Sequence, residues 1–460
     1  MWYTVIEMIR EVRDMAIGTD LTEGKVAKQL VRYAAPLVIT SLLQSVYSIT
    51  DMLVAGQCIG KSGLSAINNA SLVMNLVTQI AIGLTVGGNV LIGQLFGGND
   101  EEGRKHASGT LFSLCLVIGA AGAVILGLLA RPFMAMLKAP ALGEAAVYLQ
   151  ICAIGLFPIF GYNALSAIFR AMGDSRRPLM VICCSTAINV ALDILFVAVF
   201  RWGVAGAALA TLAAQFAAFF ISLGFGVRNK EALGLYGKCL RIDGEKCGKI
   251  FKLGVPIALQ WAIASVSWLV VLFLINQYDV DPSAGNGISA KIKDFCQLFI
   301  SAMTSGAATM IAQNLGAGLY DRAHEVMRTC MKITLGIAVA LIVVVQLLAP
   351  ALVSIFTPEA GVQYWAALNL RIEIFAQIFY AMFLTYNTLA TGCGDTVFVM
   401  WNSFVNCILV RLILAVILDH FFGVVGVYAA CAIAPASSVP IGWWYCRSGK
   451  WKKNAVKKGS

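Results

Sequence analysis

Twelve apolar stretches follow one another along this chain. Each is long enough to cross a bilayer, which takes roughly 20 predominantly apolar residues in a helix. They lie at about 30–54, 66–93, 105–130, 143–170, 178–200, 204–227, 249–277, 285–312, 323–349, 361–391, 396–418 and 424–446, separated by Gly, Pro and charge clusters. Hydrocarbon offers no partner to backbone N–H and C=O groups, so such a chain is confined to helices that satisfy their own backbone. Composition agrees. Of the 460 residues 59% are hydrophobic and 13% charged, against about 25% charged in ordinary soluble proteins, and the mean hydropathy is +0.80. The expected fold class is an all-α integral membrane protein with twelve transmembrane helices.

An even number of spans puts both termini on one side, and the basic residues say which. With the N-terminus cytoplasmic, the inner segments carry Arg10 and Arg13, Arg176 and Arg177, the cluster from Arg228 to Lys249, and the tail from Arg447 to Lys458. The outer loops carry only Lys61, Arg131, Lys138 and Arg201. Residues 1–29 mix both signs of charge, lack the apolar core of a cleavable signal peptide, and read as a cytoplasmic segment. The formal net charge of +10 therefore follows membrane topology. No basic stripe with interleaved aromatics marks a nucleic-acid surface. Several of the thirteen cysteines, such as Cys152, Cys183, Cys184, Cys296, Cys407 and Cys431, sit inside apolar runs, and none forms a CxxC or Cys/His cluster. They read as reduced apolar fillers. The three histidines, His106, His324 and His420, are too scattered for a metal site.

The chain repeats itself at a spacing near 220 residues. Pro36 matches Pro256, "IGQLFGG" from Ile92 matches "IAQNLGA" from Ile311, "MGDSRRPLM" from Met172 matches "CGDTVFVM" from Cys393, and "RWGVAGAALA" from Arg201 matches "FFGVVGVYAA" from Phe421. Each half holds six spans and so enters the membrane in the same sense, giving two pseudo-symmetric six-helix bundles around a central cavity. The implied division is a cytoplasmic segment 1–29, an N-lobe 30–227, a cytoplasmic linker 228–248, a C-lobe 249–446 and a basic tail 447–460.

Ionisable groups inside spans are expensive and usually functional. Gln44, Tyr47, Ser48 and Asp51 share one face of the first helix. Asp193 in the fifth has Asn189 one turn before it and Ser185 a further turn back. Asn75, Thr78 and Gln79 in the second helix, Asn163 in the fourth, and Thr211 with Gln215 in the sixth complete a polar set. Two carboxylates with an amide and a hydroxyl suit a small cation or protons. The plainer alternative is that Asp51 caps or snorkels at a helix end and Asp193 pairs with a buried Arg. An offset of 220 places Val271 opposite Asp51 and Ile413 opposite Asp193, so the carboxylates are peculiar to the first half. The second half offers Lys291, Lys293 and Asp294 in the eighth helix, Arg371 and Glu373 in the tenth and Arg411 in the eleventh. Lys293, Gln297 and Ser301 form one stripe and Glu373, Gln377 and Tyr380 another. These form either a cavity wall or structural ion pairs such as Glu373 with Arg411. No GxxxxGK[ST], HExxH or GxSxG occurs, so nothing reads as an enzyme or as ATP-driven, and no cofactor is expected.

The segments Asp20–Gly60, "GQLFGGNDEEGRKH", "FRAMGDSRRPLM" and "NVALDILFVAVFRWGVAGAALAT" together resemble the multidrug and toxic compound extrusion (MATE) family, in its DinF-like branch. The resemblance covers about Asp20 to Arg447. It implies two bundles arranged as a V in a bacterial or archaeal cytoplasmic membrane. It also implies export of organic, often cationic, compounds in exchange for inward H⁺ or Na⁺, by a chain acting as a monomer among lipids. In that branch a first-helix Asp, an Asn-x-x-x-Asp on the fifth helix and a sixth-helix Thr form the cation or proton site. They match Asp51, Asn189, Asp193 and Thr211. A related branch that flips lipid-linked oligosaccharides keeps a second function open. A channel or scaffold is a third, though it leaves Asp51 and Asp193 without a task.

Overall fold

The computed structural model describes residues 18–137 and 141–452, with backbone alone at 52–53 and 61–62. The expectations for residues 1–17, for Lys138 and for the tail beyond Lys452 lie outside the described residues. Among the described residues every regular element is helical. In chain order these are α1 (Val26–Cys58), α2 (Gly60–Gly97), α3 (Glu101–Met136), α4 (Leu142–Ile154), α5 (Leu156–Ala171), α6 (Arg176–Asp193), α7 (Gly203–Arg228) and the short α8 (Lys230–Leu233). There follow α9 (Gly244–Ile275), α10 (Val280–Gly316), α11 (Tyr320–Ser354), α12 (Ala360–Glu373), α13 (Ala376–Cys393), α14 (Thr396–Phe404), α15 (Arg411–Phe422), α16 (Val424–Ile433) and α17 (Ser438–Ser448). Wide π turns extend α6 over Ile194–Val199 and join α14 to α15 over Val405–Val410.

Ten helical segments are long and apolar enough to cross a membrane, and two bent pairs bring the number to twelve when each pair counts as one span. The chain is a multi-pass membrane protein. The fourth and tenth spans, expected as continuous helices, are bent instead: α4 meets α5 at 43° and α12 meets α13 at 46°. The second bend falls just after Glu373, so Glu373, Gln377 and Tyr380 do not share one straight helical face.

The chain divides into two compact units. The first comprises Met1–Asp20 and Ile39–Ala258, the second Leu21–Val38 and Leu259–Ser460. The two helices that contribute to both units, α1 and α9, carry Pro36 and Pro256 inside them. Each passes from one unit to the other two residues beyond its proline.

In the first unit small residues let backbones meet, as they must where lipid gives helices no hydrophobic reason to associate. A Cβ on Gly83 would lie 2.8 Å from Gly254 O, and one on Gly87 would lie 2.7 Å from Gly254 N. The loop after α8 docks on α3, where Ser113 Oγ donates to Leu240 O at 2.6 Å and Thr110 Oγ1 accepts from Asp243 N at 3.1 Å. The repeated Gly-Asp motif has a local cause. Gly173 and Gly394 take φ of 82° and 87° where the preceding helix ends, a conformation that favours glycine. Asp174 then accepts from the N–H groups of Arg176 and Arg177, and Asp395 from that of Phe398, capping α6 and α14. In the second unit Leu21 is held by two neighbouring side chains of α10: its N–H donates to Gln313 Oε1 at 3.1 Å and its C=O accepts from Asn314 Nδ2 at 3.2 Å. Polar contacts also link α10 to α12, through Ser289 Oγ to Ala366 O at 2.7 Å and Asn369 Nδ2 to Asn286 Oδ1 at 2.9 Å.

The substitution Gly87→Val should force the α2–α9 crossing apart. Overpacking of this kind costs about 1–3 kcal/mol, visible as a lowered thermal unfolding midpoint of the detergent-solubilised protein, whereas Gly127→Ala, where an added Cβ meets nothing within 4 Å, should leave it unchanged.

Candidate functional site

The first unit brings polar residues of four helices together. Gln44 and Tyr47 of α1, Asn163 of α5, Ser185 of α6 and Gln215 of α7 line one cavity of about 170 Å³, with Tyr162 and Thr186 among the remaining walls. Drug-sized pockets run to about 300–1,000 Å³, so this cavity has room for one end of an organic molecule. The α4–α5 bend shapes it. A Cβ on Gly155 would lie 2.0 Å from Gln215 Oε1, so the absent side chain leaves space for that amide.

Next to the cavity is a knot of buried polar atoms. Asn189 and Asp193, one turn apart on α6, are both 0% exposed. Neither oxygen of Asp193, neither polar side-chain atom of Asn189, nor Thr211 Oγ1 on α7 closes a hydrogen bond of ordinary geometry among the described residues, although Asn189 lies within reach of Asp193 and Thr211 within reach of Tyr47. Asp51 of α1 is half-buried and lies within electrostatic reach of Asp193, of Tyr47, and of Tyr148 and Cys152 on α4. A carboxylate shut away without a partner is strongly disfavoured as a bare anion. The arrangement calls for a proton or a small cation, and carboxylate, amide and hydroxyl oxygens are hard ligands fit for one. Tyr47 belongs to both groups: it lines the cavity and feels both carboxylates. Asn75 and Gln79 do not join the cavity lining, and Asn75 is exposed.

The second unit holds charge of the other sign. Lys293 on α10 and Glu373 on α12 form a buried ion pair. The sequence offered Glu373 with Arg411 as an example of such a pair. The structure gives Glu373 to Lys293, and Arg411 turns instead to the indole of Trp268 on α9, with its Cζ 4.8 Å from the ring centroid. Lys293 Nζ approaches the same ring at 5.3 Å. Gln377 is buried with its Oε1 unpartnered, and Gln297 is half-buried without a hydrogen bond among the described residues. Lys291, Asp294 and Arg371 are exposed. Trp268 had no signal in the sequence that set it apart from the other aromatics of the apolar runs.

The repeat offset also needs correcting in space. Ile413, opposite Asp193 by number, is 54% exposed, while Arg411 is 8% exposed. A π turn shifts a helix face by one residue, about 100°. It follows Asp193 in the first unit but precedes Arg411 in the second. The inward charge on this helix is thus acidic in one unit and basic in the other.

The helical fold is shared with solved membrane transporters. A MATE transporter of the MOP superfamily, described in an outward-facing conformation, superposes with a TM-score of 0.89 at 20% identity over 96% of this chain and 100% of that one. A MATE crystal structure in the straight conformation gives 0.90 over the same shares, also at 20% identity. A probable multidrug resistance protein, YoeA of Bacillus subtilis, is 24% identical over 95% of this chain and 96% of its own. The multidrug export protein MepA of Staphylococcus aureus is 24% identical over 90% and 91%. The sequence profile of the MatE family matches twice, at residues 36–195 and 256–417. The chain belongs to the MatE family.

The two charge arrangements should respond differently to mutation. Asp193→Asn preserves shape and breaks no ion pair, and an amide can still meet Asn189, so stability should stay within about 1 kcal/mol of the parent. Lys293→Leu strands Glu373 in the interior and should cost about 3–5 kcal/mol. Adding Glu373→Gln to it should recover most of that loss in the same thermal unfolding assay.

Proposed function

We propose that this protein is a secondary active antiporter that exports organic compounds in exchange for inward H⁺ or Na⁺ by alternating access. The observation that carries the reading is Asp193, wholly buried and without a cationic partner among the described residues. Asp51 lies within its electrostatic reach, and Tyr47, which feels both carboxylates, lines a cavity with room for one end of an organic molecule. Asp51, Asn189, Asp193 and Thr211 bind the coupling ion. Gln44, Tyr47, Asn163 and Gln215 receive the substrate. The multidrug names carried by the B. subtilis and S. aureus relatives support organic compounds as the cargo. The basic residues of the segments and tail assigned to the inner side support a bacterial or archaeal cytoplasmic membrane with both termini inside.

The mechanism follows from the shared helix α1. With the outer side open, H⁺ or Na⁺ neutralises the Asp51 and Asp193 pair. Neutralisation removes the repulsion between the carboxylates, α1 repacks, and Gln44 and Tyr47 move with it, releasing the substrate outward. After reset the ion leaves to the low-concentration side and the cavity reloads. Ion and substrate stabilise different states, so each weakens the binding of the other by the same factor.

The test uses the purified protein in liposomes loaded with a fluorescent organic cation, under an imposed pH gradient and then an imposed Na⁺ gradient. Transport driven by one of the gradients should fall to background in Asp51→Asn and in Asp193→Asn, while Asn75→Ala retains it. Undiminished transport in both carboxylate variants would overturn the assignment.

A further inference from the structure

Arg411 is a buried cation without an ion-pair partner among the described residues. Its Nε and Nη1 are shut from solvent and have no hydrogen-bond partner among the described residues, and the residue is 8% exposed. A guanidinium does not lose its proton in a protein, so neutralisation by deprotonation, open to a carboxylate or an amine, is closed to it. The attraction of the Trp268 ring, 4.8 Å from Cζ, offsets only a small part of the penalty for burying an ion. The buried acid of this cluster is already committed. Glu373 pairs with Lys293, and all three charges act on Cys431, which marks them as one cluster. Lys293 and Glu373 cancel, which leaves Arg411 as the surplus charge. Asp294 is within reach of Tyr380, as Arg411 is, but it is exposed and forms no ion pair with Arg411 among the described residues.

We infer that Arg411, set against the face of Trp268, anchors an anion-binding subsite in the second unit that takes a carboxylate or phosphate group carried by an organic molecule. The chemistry fits. Guanidinium groups bind planar oxyanions through paired N–H donors, and the indole face gives an apolar body a surface beside the charged end. That such a molecule is cargo rests on the exporter reading above, but the binding itself does not.

The experiment measures equilibrium binding to the purified full chain in nanodiscs of neutral lipid. The probes are dansyl-glycine, an organic carboxylate, and its uncharged methyl ester, followed by energy transfer from tryptophan. The parent protein should bind the acid about tenfold or more tightly than the ester, as expected for a charge-assisted hydrogen bond. Arg411→Gln should erase that preference, and Arg411→Lys should keep part of it. Should Arg411→Gln prove unstable, Arg411→Lys carries the test: it keeps the charge and loses the paired N–H donors, so a preference as large as the parent's would also overturn the inference. Equal binding of acid and ester by the parent, or an unchanged preference in Arg411→Gln, would overturn the inference. Displacement of the probe by phosphatidic acid in the disc identifies a lipid headgroup as the natural anion; displacement by soluble benzoate alone identifies a free organic acid. Asp51→Asn should retain the acid preference while losing gradient-driven transport, so failure of the antiport reading and failure of this subsite are told apart.

Discussion

A charge taken into a bilayer must meet an opposite charge, a proton or a ligand, and the interior of this molecule is organised by that demand. Lys293 and Glu373 meet it by pairing. Asp193 and Arg411 do not meet it from within the described protein. The two unmet charges are the places where the proposals above put a ligand from outside. In a soluble enzyme water would blur the distinction between a paired and an unpaired group. In hydrocarbon the distinction decides which residues are scaffold and which are site.

The scaffold itself is nearly duplicated. The family profile matches each half over about the same length, 220 residues apart. The Gly-Asp motif ends one helix and caps the next in both units, and the prolines of α1 and α9 stand at matching points. The contents of the two units differ. One concentrates oxygen ligands and two carboxylates, the other a guanidinium, an ammonium and an indole. One backbone plan thus carries two halves of opposite polarity.

Much of this was legible in the sequence. Long apolar runs gave the helices, because backbone in lipid has one open solution at that length. Spacing of three and four residues gave the faces carrying Gln44, Tyr47, Asp51, Asn189 and Asp193, and the family resemblance singled out the same carboxylates. What was not legible depended on bends and on packing between distant segments. The turn at Gly155 looks in sequence like any glycine in an apolar run, yet it makes room for Gln215. The bend after Glu373 broke a stripe that counting alone drew straight. Trp268 gained its place from two cations that arrive on α10 and α15, and no local pattern announces a partner more than a hundred residues away.

The π turns carry a consequence for reading any duplicated helical protein. By residue number the counterpart of Asp193 is Ile413, whose side chain lies on the outer face. The two helices match in their flanking motifs, but the wide turn occupies a different place in each, and between those places the same numbering points in different directions. Moving one wide turn along a helix therefore exchanges its inward residues with no insertion, deletion or change in length. Equivalence across such a repeat is a property of the helix face and not of the alignment column, and a survey of matched positions would probe the lipid side of this helix and miss the charge that faces in.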